Sequence, residues 1–230
     1  MIDIGSCFSY GVDRIKSNPG FYILATVILS VIAAILVAIA VFINLGIVMV
    51  LTKIGLPGFL IMLLNHFTIM ILIVLLTLPM VPLVIGFWKG IKKEYEGGKA
   101  EIADLFSAFD LFVPGLLNYG VASVIVAIGS AMCYLPGIIV FPLIPLSLYF
   151  LVRGDTKGFN ALKKSIDLLI KNPILILFCF IFHIVGMLGL IICLVGVFAT
   201  SPLSMCATYK LFQQAIGEDK QAVPANPVQA

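Results

Sequence analysis

The sequence predicts an all-α protein: a polytopic membrane helical bundle with six transmembrane helices in three hairpins, each hairpin preceded by an amphipathic interfacial helix. Three observations carry that expectation. No Lys, Arg, Asp or Glu occurs in 18–52, 57–88, 114–152 or 172–209, and a charge-free apolar run of about 18 residues is long enough to cross a bilayer as a helix. Hydrophobic residues make up 62% of the chain and mean hydropathy is +1.20, more apolar surface than a soluble domain of this size can hide in a core. The third observation is a unit that recurs along the chain: an amphipathic stretch, a proline, a span out, and a span back.

In the first unit Ile4, Cys7, Phe8, Val12 and Ile15 share one helical face, while Asp3, Asp13, Arg14 and Lys16 supply the polar one. Asn18-Pro19 then opens a span near 19–45. Proline suits the first turn of a helix, where its missing N–H has no partner anyway, and it breaks a helix arriving from upstream. Lys53 and Leu56-Pro57-Gly58 turn the chain into a return span near 60–87.

The second unit sets Ile102, Leu105, Phe106, Phe109 and Phe112 against Glu101, Asp104 and Asp110, and ends at Pro114. Spans near 114–133 and 138–152 follow, with a turn at Leu135-Pro136-Gly137. In the third unit Phe159, Leu162, Ile166, Leu169 and Ile170 oppose Lys163, Lys164, Asp167 and Lys171 before Asn172-Pro173. The charge-free stretch from Asn172 to Tyr209 would rise roughly 57 Å as one helix, against a hydrocarbon core of roughly 30 Å. It must fold back, giving spans near 173–190 and 195–212 with turn signals between Gly186 and Gly196. The returning spans carry Pro82 before Lys89, Pro145 before Arg153 and Pro202 before Lys210, which makes the three units parallel repeats in sequence. Residues 1–216 form one membrane domain on this reading, and 217–230, rich in Gln, Ala and Pro, form a disordered tail.

Of the 14 Lys and Arg residues, all but Lys53 fall in segments that this topology puts on one side. Positive loops resist translocation, so both termini are expected in the cytoplasm and Lys53 outside. The apolar stretch after Pro19 exceeds a signal-peptide core of about 7–15 residues, so Ala38-Ile39-Ala40 is not expected to be a cleavage site.

Leu135-Pro136-Gly137-Ile138-Ile139, then Pro145, then Ala161-Leu162-Lys163-Lys164-Ser165 and Asn172 resemble the second half of a broad group of uncharacterised bacterial inner-membrane proteins. That group includes the membrane domain of glycerophosphoryl diester phosphodiesterases. The resemblance covers about residues 85–212. It implies a six-helix bundle in the inner (cytoplasmic) membrane and leaves activity open, since the family's phosphodiesterase residues lie in a separate soluble domain.

Residues suited to chemistry are sparse. All 11 acidic residues lie in segments assigned to the cytoplasm, and no Gly-x-Ser-x-Gly, phosphate loop or paired His and Asp arrangement occurs. His66 and His183 lack a His or Glu at metal-ligand spacing, so each reads as a neutral imidazole bonded to a neighbouring helix. Cys7, Cys133, Cys179, Cys193 and Cys206 show no C-x-x-C spacing and read as reduced thiols. Catalytic, cofactor-binding and metal residues are therefore expected to be none, with no cofactor. Basic residues sit at segment ends without interleaved aromatics, so nucleic acid is not an expected partner.

Asn44, Asn65, Asn118, Tyr119, Ser147, Thr200, Ser201 and Ser204 are the other polar residues at depth. They either line a cavity or bond back to their own helices beside the prolines. Between Pro19 and Lys89 roughly 70 mostly apolar residues stand where two spans need about 40. Tilt and an outer hairpin, Phe42 to Leu64, docking on another subunit are both open explanations. The function expected is a non-enzymatic integral membrane subunit that organises lipid or associates with a partner membrane protein or another copy of itself. The alternative is a small permease or lipid-moving transporter.

Overall fold

The computed structural model describes residues 2–133, 135–192 and 196–218, and within these it contains helices joined by turns and no strand. The chain begins with α1 (Ile4–Ser17), capped by the Asp3 carboxylate accepting from the Ser6 N–H at 3.3 Å. Asn18 separates it from α2 (Pro19–Lys53), with Pro19 in the first turn as the sequence predicts. A turn with Gly55 at φ 80° leads into α3 (Gly58–Thr77). Only a residue without Cβ takes that φ at no steric cost.

A 3₁₀ turn at Leu78–Met80, imposed where Pro79 and Pro82 interrupt the hydrogen-bond ladder, joins α3 to α4 (Val81–Tyr95). The second amphipathic segment departs from expectation. Instead of one helix over 101–112 it breaks into α5 (Ile102–Leu105), a turn, a 3₁₀ turn at Phe109–Leu111 and α6 (Phe112–Gly115). Asp104 draws the start of this segment inward by accepting from Glu101 N–H at 2.8 Å and from Lys93 Nζ at 2.9 Å. The first of these bonds caps the start of α5, and the helix ends at Phe106, whose backbone (φ −96°, ψ 2°) leaves the helical path.

One π-helical turn at Leu116–Gly120 precedes α7 (Val121–Cys133), and α8 (Leu135–Val140) and α9 (Leu143–Val152) follow. Leu135-Pro136-Gly137, expected as a turn, is therefore helical. Next come α10 (Asn160–Lys171), α11 (Ile174–Ile192) and α12 (Val197–Ala215). Consecutive helices pack as pairs, α2 with α3, α7 with α8 and α11 with α12, and α1 lies along α12.

Four helical stretches are long and apolar enough to cross a membrane: Pro19–Lys53, Gly58–Tyr95, Ile102–Ser130 and Leu135–Val152. A fifth results if Asn160–Lys171 and Ile174–Gly189, bent by 106°, count as one broken span. The protein is thus an all-helical, multi-pass membrane protein. α12 falls outside the count because its second half carries Thr208, Lys210, Gln213 and Gln214. The expected disordered tail lies outside the described residues apart from Gly217 and Glu218.

Burial is concentrated at one end. Tyr22, Trp88, Tyr149, Tyr209, Phe87 and Phe212 are fully buried there, while α3 buries no residue at all. α1 meets this core through Cys7, Tyr10, Gly11 and Arg14, a face rotated from its most apolar stripe, so that Phe8 is left exposed. The reason is close approach: a Cβ on Gly11 would stand 2.7 Å from the Leu203 carbonyl oxygen.

Candidate functional site

Three features hold the polar side chains of this molecule: a hydrogen-bonded cluster at the densely packed end, two adjoining cavities above it, and an isolated pair in the outer hairpin.

The cluster is centred on Glu94, near the end of α4 and 2% exposed. Asn18 Nδ2 donates to its Oε1 at 2.6 Å and the Tyr22 hydroxyl to its Oε2 at 2.6 Å. The Ala100 N–H donates to Oε1 at 3.4 Å, and Asn18 also donates to the Ala100 carbonyl at 2.8 Å. A buried carboxylate is tolerated when its oxygens are satisfied in this way. Here it ties the α1–α2 junction to the end of α4 and the loop after it. Lys210 lies beside the Tyr95 and Tyr10 rings, 5.5 and 5.8 Å from their centroids, and Arg14 is 5.0 Å over Tyr10. Burial pushes the Tyr10 pKa well up, with the Cys206 thiol adding to it, so this phenol stays neutral.

The start of α1 and the end of α12 meet here. Gln214 accepts from the Asp3 N–H at 2.8 Å and donates to Ser6 Oγ at 2.8 Å, while Arg153 pairs with Glu218 and with Gln213.

A partly open cavity of about 330 Å³ lies between α4, α9, α11 and α12, and a second of about 290 Å³ lies between α2, α4 and α12. Val84, Tyr119, Ser201 and Met205 line both, and no Lys, Arg, Asp or Glu lines either. Of the polar residues singled out in the sequence, Tyr119, Ser201, Ser204 and His183 reach these walls. Ser204 Oγ donates to the Phe182 carbonyl at 2.6 Å and Thr200 Oγ1 to the Gly186 carbonyl at 2.8 Å, so both link α12 to α11, and Thr200 also bonds back to the Gly196 carbonyl at 3.2 Å. His183 packs against Phe141, 4.6 Å between centroids, and makes no hydrogen bond among the described residues. The expectation that it bonds a neighbouring helix is corrected: its ring borders open volume.

The remaining residues serve packing. Ser147 bonds back to the Ile144 carbonyl at 2.8 Å, three residues earlier. Asn118, fully buried, donates to the Pro114 and Gly158 carbonyls at 2.8 and 2.9 Å and accepts from the Leu162 N–H at 2.9 Å. It anchors the start of α10 beside the π turn. Asn44 donates to Asn65 Oδ1 at 2.6 Å, pinning α2 to α3 in the outer hairpin, and its own Oδ1 is buried without a partner. His66 stacks edge-on with Phe67 at 6.1 Å. Cys7, Cys179 and Cys206 are buried, and Cys7 Sγ lies 3.6 Å from Gln214 Oε1. Among the described residues no three of His, Cys, Asp and Glu converge as metal ligands would.

Two residues of consequence were not singled out in the sequence, Glu94 and Trp88. Glu94 sits among charged neighbours in Lys92-Lys93-Glu94-Tyr95-Glu96 and looks solvated. Ile91 at i−3 shares its face, too weak a signal to mark it as buried. Trp88 lines the larger cavity, is 1% exposed, and has an indole Nε1 without a hydrogen-bond partner.

Comparison with protein-family models, with curated proteins and with solved structures finds no match. The fold and the cavities therefore stand as the basis for a functional reading.

Proposed function

We propose that this protein is a non-enzymatic integral membrane subunit that associates with a partner membrane protein through its outer hairpin. The observation that carries the reading is the length and exposure of that hairpin. α2 has 35 residues and rises about 52 Å; tilted by 40°, the upper end of the usual range, it still spans about 40 Å against a hydrocarbon core of about 30 Å. The surplus is apolar and unpacked: Phe42 is 79% exposed, and Ile54 and Phe59 are each 69% exposed. Apolar surface beyond the lipid is costly in water, and a protein partner relieves that cost.

On this proposal the chain crosses an inner membrane six times, with α1 and α10 at the cytoplasmic surface and both termini inside. The adjacency of the start of α1 and the end of α12 supports it, as do the similar backbone conformations at the two junctions, Asn18 at φ −141°, ψ 60° and Asn172 at φ −131°, ψ 69°. Cysteine labelling checks the topology, since Lys99→Cys must react from the cytoplasmic side only.

The test of function is site-specific photocrosslinking in cells from a photoreactive residue at Phe42 and at Phe59. A discrete protein adduct at either position, lost on replacing Ile54 and Phe59 together by Ser, supports the subunit. Adducts to lipid alone refute it. The cavities favour a second reading, the small lipid-moving transporter, and a purified protein that moves a lipid across a vesicle bilayer would promote it.

A further inference from the structure

We propose that the larger cavity is a binding site for an uncharged, largely apolar molecule carrying a hydrogen-bond-accepting carbonyl oxygen, such as the ester carbonyl of a diacylglycerol-type lipid or the ring carbonyl of a quinone. This goes beyond the partner reading and does not depend on it.

The first argument is an unpartnered donor. An indole N–H can only donate, and leaving one buried without an acceptor costs about 1–3 kcal/mol. Trp88 lines the cavity, and its indole Nε1 is buried without a partner. Two neighbouring hydroxyls on this wall are satisfied: Ser204 donates across to the Phe182 carbonyl at 2.6 Å, and Thr208 back to the Ser204 carbonyl of its own helix at 2.8 Å. His183 and Ser201 remain with no hydrogen bond to the described residues and face the same volume. The polar wall therefore offers donors where a carbonyl oxygen fits.

The second argument is charge. With no cation lining either cavity, a phosphate or carboxylate would pay its desolvation cost uncompensated, which excludes an anionic headgroup from the site. With no acidic residue there either, a cation is equally disfavoured. The remaining walls are apolar, from Val84, Leu148, Met187 and Met205, and methionine adapts to ligands of irregular shape. A volume of about 330 Å³ falls at the lower end of small-molecule sites. It takes a ring or the first part of an acyl chain, and the open side lets a tail continue outward.

Trp88 is the only tryptophan in the chain, so its fluorescence reports on this wall alone. The full chain is purified into nanodiscs of unbrominated phosphatidylcholine and titrated separately with dibrominated diacylglycerol, with decylubiquinone and with dibrominated phosphatidylglycerol. The expected result is saturable quenching by one of the two neutral probes, which identifies the source of the carbonyl. Filling the cavity by Ser201→Phe, or from the opposite wall by Val84→Phe, is expected to raise the midpoint at least tenfold. Ile35→Phe, on the exposed surface of α2, leaves it unchanged. Quenching that rises linearly and equally in the filled variants means contact with surrounding lipid and overturns the proposal. So does the absence of quenching by both neutral probes, or tighter saturation by the anionic lipid.

Discussion

The outer hairpin is built from almost purely apolar helices and the opposite end of the bundle largely from helices that also carry polar and charged residues, yet it is the second that is densely packed. From Ala40 to Thr77 only Ala40 and Asn44 are buried, and Asn44 bonds Asn65 between the two helices. At the other end Tyr22, Trp88, Tyr149 and Tyr209 are buried around Glu94, Lys210 and Gln213. The difference teaches that apolar sequence positions a helix in a membrane without packing it. Lipid is as apolar as leucine, so helix association has to come from close backbone approach, ring contacts and hydrogen bonds, all of which gather at the Glu94 end.

The strongest way to break this contrast is Glu94→Ala. It leaves the half-buried Asn18 amide with only the Ala100 carbonyl and the buried Tyr22 hydroxyl without its 2.6 Å acceptor, and a buried unsatisfied group costs about 1–3 kcal/mol. Stability measured by denaturant titration in detergent is expected to fall by roughly 3 kcal/mol, with Glu94→Gln falling less because one acceptor remains. A change below about 0.5 kcal/mol, the ordinary surface value, would mean that the cluster is not what holds this end together.

Gly11→Leu comes next. Its Cβ would lie 2.7 Å from the Leu203 carbonyl, and overpacking of this kind costs about 1–3 kcal/mol. α1 must then move off α12. In a variant retaining Cys7 as its only cysteine, the thiol, fully buried in the native protein, is expected to become alkylatable while the spans stay inserted. Continued protection would show that α1 is held by something other than this crossing.

The contrast also explains what was legible in the sequence. Charge-free runs, prolines and the Asn18-Pro19 and Asn172-Pro173 junctions located the helices and their breaks, because bilayer thickness and the missing proline N–H act on local sequence. The 106° bend between α10 and α11 follows from the same chemistry. The second amphipathic segment misled, since its apolar period is helical but the backbone leaves the helical path at Phe106. Glu94 and Trp88 were passed over because their importance arises from helices distant in sequence, where periodicity carries no signal.

The smallest expected effect lies in the hairpin itself. Asn44 and Asn65 share a 2.6 Å hydrogen bond, the sort of contact expected to matter greatly in a medium without water. Measured interhelical hydrogen bonds in membranes nevertheless average about 0.6 kcal/mol, because the separated helices also find partners. Asn44 moreover carries an unpartnered Oδ1, whose burial cost its removal would relieve. A double-mutant cycle of Asn44→Ala and Asn65→Ala is therefore expected to give a coupling near 0.6 kcal/mol, with Asn44→Ala close to neutral alone. Coupling above about 2 kcal/mol would exceed the largest such values. It would make the hairpin a packed element in its own right, and its exposed apolar face would then need no partner to hold it in place.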